Sequence, residues 1–211
     1  MRRVATAFFV ATVGTAVFAG TAHAATLTAT SPKPCYLGRE RTTVTGTGFT
    51  PNGSVSATFA GLSAPVFADP TGAIGLDLQF PEVKGVKTLA VTATDDTNPA
   101  LTATLNLIAT TLHIDVNPTH AKPGKKLRIK GYGLLGGKKV YMHVRGPHHY
   151  RSDAKVARTK APCGTFKIHR KIVPAGARPG VYTVLFDAKK RFSKKTKPQT
   201  GGTLTVTKTF G

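Results

Sequence analysis

The side chains with the clearest chemical potential in this sequence are the lysines and arginines of its second half. Residues 111–211 carry 23 Lys and Arg against only Asp115, Asp153 and Asp187, whereas residues 25–110 carry five basic and six acidic side chains. Cations at this density bind polyanions by releasing counterions, with steep salt dependence and little selectivity. The alternative is that the charge only keeps the chain in solution, which does not require so large a field of one sign.

The candidate anion-binding residues fall into two groups. One group alternates with apolar residues and is therefore predicted to share the outer face of a sheet: Arg128, Lys130, Lys167, His169 and Lys171. The other group is predicted to form a loop between the last two strands, with Phe192 as its one exposed aromatic side chain: Lys189, Lys190, Arg191, Lys194, Lys195 and Lys197. A third basic cluster, Lys155, Arg158 and Lys160, precedes Cys163.

Three histidines suggest a different chemistry, because imidazole nitrogens bind zinc or copper. His148 and His149 sit in a Gly-Pro turn that could fold back toward His143, with His169 as a further ligand. Spacing alone is a weak signal, and the surrounding positive field repels cations. We expect His143 to be an outward polar residue of its strand and the His-His pair to be an exposed turn, with no metal and no cofactor bound.

Catalysis has less support in the sequence than binding. No Gly-x-Ser-x-Gly elbow, phosphate-binding loop or zinc-protease helix occurs. The acidic pairs Asp95-Asp96 and Asp77 with Glu82 are explained by a turn and a solvated strand edge. Basic neighbours could lower the pKa of a Cys163 thiol, but a secreted cysteine is usually oxidised. We therefore expect no catalytic residues.

The first 24 residues have the features of a secretory signal peptide. Arg2 and Arg3 form a basic start, Ala5 to Gly20 is uncharged and apolar, and Ala22-His23-Ala24 presents small residues where a signal peptidase cleaves. An uncleaved anchor is the alternative, but this apolar stretch is short for a bilayer. We expect a protein released outside the cell, or held at the cell wall by non-covalent contacts, with no transmembrane segment after cleavage.

An internal repeat organises the rest of the chain. The motif Gly46-Thr47-Gly48-Phe49 returns as Gly131-Tyr132-Gly133-Leu134, and further matches follow in the same order through small insertions. This is the pattern of a duplicated domain. The sequence predicts one domain at residues 25–110 and a second at residues 111–211, joined near Ala109 to Leu112 with almost no linker.

Each repeat consists of short predicted strands. Runs rich in Thr, Val and Leu are separated by turn sequences such as Pro-Asn-Gly, and no stretch after the signal peptide has helical periodicity. In the second repeat Leu127 and Ile129 point one way while Arg128 and Lys130 point the other, which is typical of an antiparallel strand with one buried face. We predict an all-β fold of two tandem, seven-stranded, immunoglobulin-like antiparallel β-sandwiches.

The second repeat resembles a family of secreted actinobacterial proteins with an Ig-like, IPT/TIG-type fold. The resemblance rests on a basic strand that ends in Gly-Tyr-Gly, on Val140 to Arg145, on Pro162 to Phe166 and on Gly180 to Asp187. It covers most of residues 111–211, while the first repeat resembles bacterial Ig-like modules more loosely. It implies a fold and a compartment, and it brings no catalytic residues because none are established for the family.

In the repeat alignment Cys35 matches Ala121 and Cys163 matches Thr71, so neither domain has an internal pair. In an Ig-like sandwich Cys35 is expected at the end of the first domain from which the chain leaves. Cys163 is expected at the end of the second domain that receives it. These ends face each other, and free thiols rarely persist outside the cell. We predict a disulfide between Cys35 and Cys163, with an intermolecular pair as the alternative.

These observations together predict a secreted, non-enzymatic binding protein of the cell envelope. Its second domain would bind an anionic cell-wall polymer, an acidic polysaccharide or an anionic lipid surface, and nucleic acid without sequence preference. The near-neutral first domain would act as a spacer or dock another protein. The alternatives are a histidine-dependent metal-binding protein and a structural spacer with no specific ligand.

Overall fold

The computed structural model describes residues 24–134, 138–197 and 199–207, and every regular element within these ranges is a β-strand. The predicted signal peptide lies outside the described residues, apart from Ala24. Within the same ranges no helix is long and apolar enough to cross a membrane.

The strands form two successive units. The first unit contains β1 (Thr26–Ala29), β2 (Tyr36–Leu37), β3 (Arg41–Thr47), β4 (Ser54–Phe59), β5 (Leu62–Phe67), β6 (Ile74–Gln79), β7 (Val86–Asp95) and β8 (Thr102–Thr110). The second unit contains β9 (His113–Asn117), β10 (His120–Ala121), β11 (Lys126–Tyr132), β12 (Lys139–Arg145), β13 (Arg151–Arg158), β14 (Phe166–Lys171), β15 (Gly180–Asp187) and β16 (Thr200–Val206).

The two units have the same topology. In the first, a three-stranded sheet of order β1-β3-β6 faces a five-stranded sheet of order β2-β8-β7-β4-β5. The second unit repeats this with the orders β9-β11-β14 and β10-β16-β15-β12-β13. All pairings are antiparallel except β2 with β8 and β10 with β16. The prediction of two tandem Ig-like sandwiches is confirmed, and the short strands β2 and β10 are additions to the seven expected in each.

Alternating side chains build a separate core inside each unit. On β11, Leu127 and Ile129 are fully buried while Arg128 between them is exposed, as the period-two pattern predicted. The first core includes a stacked pair of rings, Tyr36 and Phe80, with centroids 4.4 Å apart. Full burial of one such apolar side chain contributes about 1.5–3 kcal/mol to folding. Each unit therefore holds itself together through its own sandwich interior.

The repeated glycines have a packing role that is the same in both units. A Cβ atom on Gly46 would lie 2.9 Å from the ring of Phe49, and one on Gly131 would lie 2.1 Å from the ring of Phe166. Two residues later, Gly48 and Gly133 have φ angles of 86° and 81°, which side-chain-bearing residues rarely adopt. The Gly-x-Gly repeat thus marks the place where the strand passes an aromatic ring and then turns.

A short connection and a disulfide join the two units. Only residues 111 and 112 separate β8 from β9. Cys35 lies just before β2 and Cys163 lies in the turn between β13 and β14. The two form a disulfide that spans 128 residues, with both side chains buried. The backbone N–H of Gly133 donates to the carbonyl of Cys163 over 2.9 Å, which anchors the same turn. The predicted pairing within one chain is confirmed.

Candidate anion-binding site

The outer face of the β9-β11-β14 sheet collects the cations of the first predicted group. Strand pairing sets Arg128 opposite His169, Lys130 opposite Lys167 and, beside them, Lys126 opposite Lys171. We call these six residues the basic face. Five of them are exposed and Lys130 is half-buried. The structure therefore brings together Arg128, Lys130, Lys167, His169 and Lys171, and it adds Lys126, which sequence reasoning left out although it continues the same alternation.

On the basic face two pairs of like charges, Lys126 with Lys171 and Lys130 with Lys167, lie directly across from each other. Residues of one strand that share a face are about 7 Å apart and paired strands about 5 Å apart, so the cations form a regular two-row array. Within the described residues none of the six forms an ion pair, and Asp115, opposite Lys130, is bonded instead to His113 at 2.8 Å. Directly opposed like charges destabilise a sheet. The array therefore costs stability when no anion is bound.

A cavity of about 550 Å³ continues the basic face toward the first unit. Its walls come mainly from β9 and from Arg128 and Lys130 of β11, and the first unit contributes Lys84. Lys84 is thus a cation of the near-neutral unit that lies beside the charged array. The groove extends the positive surface across the junction between the units.

The predicted basic loop connects β15 to β16. Its cations are exposed, as expected for a loop: Lys189, Lys190, Arg191, Lys194, Lys195 and Lys197. The loop belongs to the five-stranded sheet, where Phe192 lies over side chains of β12 that point away from the core. The two predicted groups therefore occupy opposite sides of the sandwich, about 10 Å or more apart. The structure does not unite them in one site.

Phe192 is not the exposed aromatic residue that the sequence predicted. It is half-buried, its ring lies 4.7 Å below the guanidinium carbon of Arg145, and its centroid is 5.6 Å from that of His143. A cation–π contact of this kind stabilises the position of the Arg145 side chain over the ring. The prediction failed because strand periodicity does not show that a loop folds back over its own sheet.

His143 also departs from its prediction. It lies on the outer side of β12, but its side chain has no exposed surface. Its Nδ1 is 2.9 Å from Oδ1 of Asp153 and its Nε2 is 3.0 Å from Oδ1 of Asp187. Both ring nitrogens are therefore within hydrogen-bonding distance of an aspartate oxygen. The histidine is a buried connector, because the loop and two aspartates cover it.

Asp187 anchors the basic loop at both ends. Besides His143, its buried carboxylate accepts the backbone N–H of Lys189 at 2.7 Å and the side-chain amide of Gln199 at 3.1 Å. Gln199 donates further to the carbonyl of Ser193. Sequence reasoning counted Asp187 only as an isolated negative charge. Its place at the end of an apolar strand in a strongly basic segment was the signal that it had a structural partner.

Asp153 links His143 to Arg145. Its Oδ1 accepts from Nη1 of Arg145 at 2.7 Å as well as from the histidine. Partial burial disfavours the charged carboxylate, but the hydrogen bonds from Arg145 and His143 outweigh it and hold the pKa of Asp153 below its ordinary value. Asp153 is therefore ionised at neutral pH and fixes both basic partners.

The proposed histidine metal site is not assembled. Both nitrogens of His143 are engaged by aspartates, His148 and His149 are exposed in the turn between β12 and β13, and His169 lies on the basic face. In residues 24–134, 138–197 and 199–207 no group of three or more His, Cys, Asp or Glu side chains is arranged to hold a metal ion.

The other residues considered for chemistry have structural partners. Cys163 is in the disulfide, so it offers no thiol. Asp95 caps the β7–β8 turn by accepting backbone N–H groups of Thr50, Thr97 and Asn98, and Asp96 accepts from two serine hydroxyls on β4. The third basic cluster, Lys155, Arg158 and Lys160, is exposed along β13 and the turn after it.

Comparisons with known proteins add no family. No protein-family model matches the chain, and no curated protein matches it. Solved structures that resemble it include red sea bream transglutaminase (13% identity, TM-score 0.32), a tetra-tandem repeat in the extending region of a large adhesion protein (18%, 0.33) and the Yersinia pseudotuberculosis adhesin InvE (15%, 0.35). They cover 87%, 86% and 86% of this chain, and it covers 31%, 49% and 58% of theirs.

These similarities carry no functional argument, because the TM-scores are low and the chain spans less than two thirds of each of these proteins. The Ig-like, all-β fold follows from the strand topology of the chain itself. The finer IPT/TIG-type resemblance and the actinobacterial origin stay predictions.

Proposed function

We propose that this protein is a non-enzymatic binding module that attaches to extended anionic polymers through the basic face of its second unit. The observation that carries the proposal is the set of three opposed pairs, Lys126 with Lys171, Arg128 with His169 and Lys130 with Lys167. A sheet that served only as a scaffold would gain stability from mixed charges at these positions. A bound polyanion relieves the repulsion and releases its own counterions.

The shape of the basic face favours a polymer over a small ligand. Its cations are spread over two strands and continue into an open groove at the junction of the units, and four of the six are lysines. Lysine is a flexible point charge that follows an irregular string of anions, whereas recognition of one group in fixed geometry favours arginine. We therefore expect broad selectivity, set by charge density rather than by the identity of the repeating unit.

The predicted signal peptide supports a partner outside the cell. We propose an anionic cell-wall polymer, an acidic polysaccharide or an anionic lipid surface as the partner, with the protein secreted and associated with the envelope. Nucleic acid would bind by the same mechanism and without sequence preference. The first unit, whose charges nearly cancel, would serve as a spacer.

A pull-down at two salt concentrations tests the proposal. Full chain cleaved after Ala24 is incubated with cell-wall polymer, anionic vesicles and DNA, and compared with a face variant carrying Arg128→Thr, Lys130→Thr, Lys167→Gln and Lys171→Gln. We expect binding at low salt, loss at high salt and loss in the face variant. A matched control removes four exposed cations elsewhere in the second unit: Lys138→Gln, Lys139→Gln, Lys155→Gln and Arg178→Gln.

The control distinguishes an effect of the basic face from an effect of net charge, because both variants lose four positive charges. If the wild-type chain binds none of the polyanions at low salt, the proposal is wrong and the chain is a spacer. Equal loss in the face variant and in the control would also contradict it.

A further inference from the structure

A second cluster of cations surrounds a cavity on the opposite side of the second unit. The cavity has a volume of about 420 Å³ and is lined by Arg145, Arg151, Asp153, Arg191 and Phe192. It lies on the outer side of the five-stranded sheet, where β12, β13 and the basic loop meet. We call it the arginine pocket. It shares no residue with the basic face.

Three arginines converge on this pocket from different segments. Strand register sets Arg145 of β12 directly opposite Arg151 of β13, and the loop brings Arg191 to them. Directly opposed like charges are unfavourable in a sheet. Arg151 and Arg191 are exposed and form no ion pair within the described residues. The pocket therefore holds two guanidinium groups that lack a counter-ion in the described part of the chain.

Arg145 is held in a fixed orientation and still has N–H groups that can donate to a ligand. Its Nη1 donates to Oδ1 of Asp153 at 2.7 Å and to the carbonyl of Val144 at 2.8 Å, while its guanidinium carbon lies 4.7 Å from the centroid of the Phe192 ring. Its Nε and Nη2 have no hydrogen-bond partner among the described residues. A guanidinium that is already ordered loses less entropy when it binds an anion.

The one carboxylate in the pocket is compensated. Asp153 accepts from both His143 and Arg145, so its negative charge is matched by two neighbouring donors. Asp187 in turn fixes His143 and the start of the loop that carries Arg191 and Phe192. The wall of the pocket is therefore held by a chain of hydrogen bonds that runs from the exposed Arg145–Asp153 contact to the buried His143–Asp187 contact.

The ligand chemistry that fits is a phosphate ester. A planar carboxylate engages one arginine fork through its two oxygens, whereas a tetrahedral phosphoryl group offers three or more oxygens to several forks at once. The volume exceeds that of a phosphate ion, and Phe192 adds an apolar wall beside the charges. We infer that the arginine pocket is a discrete site for a phosphate ester, with the phosphoryl group among the arginines and its carbon substituent against Phe192.

This inference does not depend on polymer binding at the basic face, and a titration can separate the two. Full chain cleaved after Ala24 is titrated with glycerol 3-phosphate, and backbone and arginine Nε–H signals are followed by NMR. We expect saturable shifts confined to β12, β13 and the basic loop. Acetate at equal ionic strength is expected to produce much weaker shifts.

Variants identify the residues responsible. Arg151→Gln with Arg191→Gln is expected to weaken glycerol 3-phosphate binding about tenfold or more, since each removes a charge-assisted hydrogen bond from an exposed position. The matched control, Arg158→Gln with Arg178→Gln, removes the same charge outside the pocket and should change the affinity less than twofold. Non-saturating shifts spread over all basic surfaces, or equal weakening in the control pair, would overturn the inference.

A second arm identifies where the phosphate ester comes from. Vesicles of phosphatidylglycerol and phosphatidylcholine in equal parts replace the soluble ester. Vesicle binding that is weakened by the pocket pair assigns a lipid headgroup to the pocket. Vesicle binding that is weakened only by the face variant assigns the lipid to the basic face and leaves soluble or polymer-borne esters as ligands of the pocket.

Discussion

The two units share strand order and register, but the outer faces of their equivalent three-stranded sheets differ in charge. On the first three-stranded sheet Thr43 lies opposite Asp77 and donates to it over 2.8 Å, and Thr45 lies opposite Gly75. On the second sheet the corresponding pairs are Arg128 with His169 and Lys130 with Lys167. The fold therefore does not require charge at these positions. The first unit maintains the same scaffold without this array of cations.

Buried aspartates show a second contrast between the units. Asp95 ends β7 and caps its own turn through neutral donors, whereas Asp187 ends β15 and binds His143 and the basic loop. Both carboxylates are fully buried. The first unit uses such a group to fix the β7–β8 turn and to tie it to the β3–β4 turn at Thr50. The second uses it to hold a charged loop against a sheet and thereby shapes the arginine pocket.

The largest effect should come from removing the disulfide between the units. We expect Cys35→Ala with Cys163→Ala to lower the free energy of unfolding by about 4–5 kcal/mol, because the bridge closes a loop of 128 residues that otherwise gains entropy on unfolding. Urea denaturation measures the change, and circular dichroism checks that the strands persist. An unchanged urea midpoint would show that the disulfide does not contribute to the stability of the two units.

The next effect concerns the buried aspartate of the second unit. Asp187→Ala leaves His143 buried without one partner and releases the loop, which should cost about 3–5 kcal/mol. Asp115→Ala removes an exposed contact with His113 in the same unit and should cost about 0–1 kcal/mol. Urea unfolding of both variants compares the two. A cost for Asp187→Ala as small as that for Asp115→Ala would contradict the anchoring role.

A smaller effect should appear as a pH dependence of the first unit. The hydrogen bond from Thr97, followed by those from Thr50 and Asn98, holds the pKa of Asp95 far below its ordinary value despite burial. A carboxyl group whose folded-state pKa is lowered stabilises the protein above its unfolded value of about 4, and this stabilisation is lost as the pH falls further.

We therefore expect the first unit to lose stability on acidification below about pH 4, and Asp95→Asn to be less stable at pH 7 with a weaker pH dependence. Amide hydrogen exchange of β7 and of β15, followed at several pH values, measures the stability of the first and of the second unit separately. Identical pH dependence in the variant and the wild type would refute this assignment.

Much of this contrast was visible in the sequence, because the relevant patterns are local. Alternation along β11 and β14 predicted that Arg128 and His169 share a face, and the glycine repeat predicted two copies of one fold. The disulfide followed from the positions of its cysteines in that repeat. Each of these inferences needed only period-two geometry and the order of the elements.

The features that the sequence did not show depend on contacts between segments that are far apart in the chain and on strand register. His143 is buried because Phe192, far along the chain, folds back over β12. The opposition of Arg145 and Arg151 required the register of β12 with β13, which contains an irregularity after Val140. Periodicity assigns a residue to a face of a sheet but does not say what covers that face.

The central claim, that the basic face binds polyanions, is tested most directly by the salt dependence of binding. A single-stranded DNA homopolymer serves as a polyanion of regular charge spacing, and its affinity is measured by fluorescence anisotropy over a range of salt concentrations. Each cation that neutralises a phosphate contributes about 0.7 to the slope of log K against log salt, so the four substitutions of the face variant should reduce the slope by about three. The matched control at Lys138, Lys139, Lys155 and Arg178 should keep most of the wild-type slope. An equal slope for wild type and face variant, or an equal reduction in the control, would contradict binding at this face.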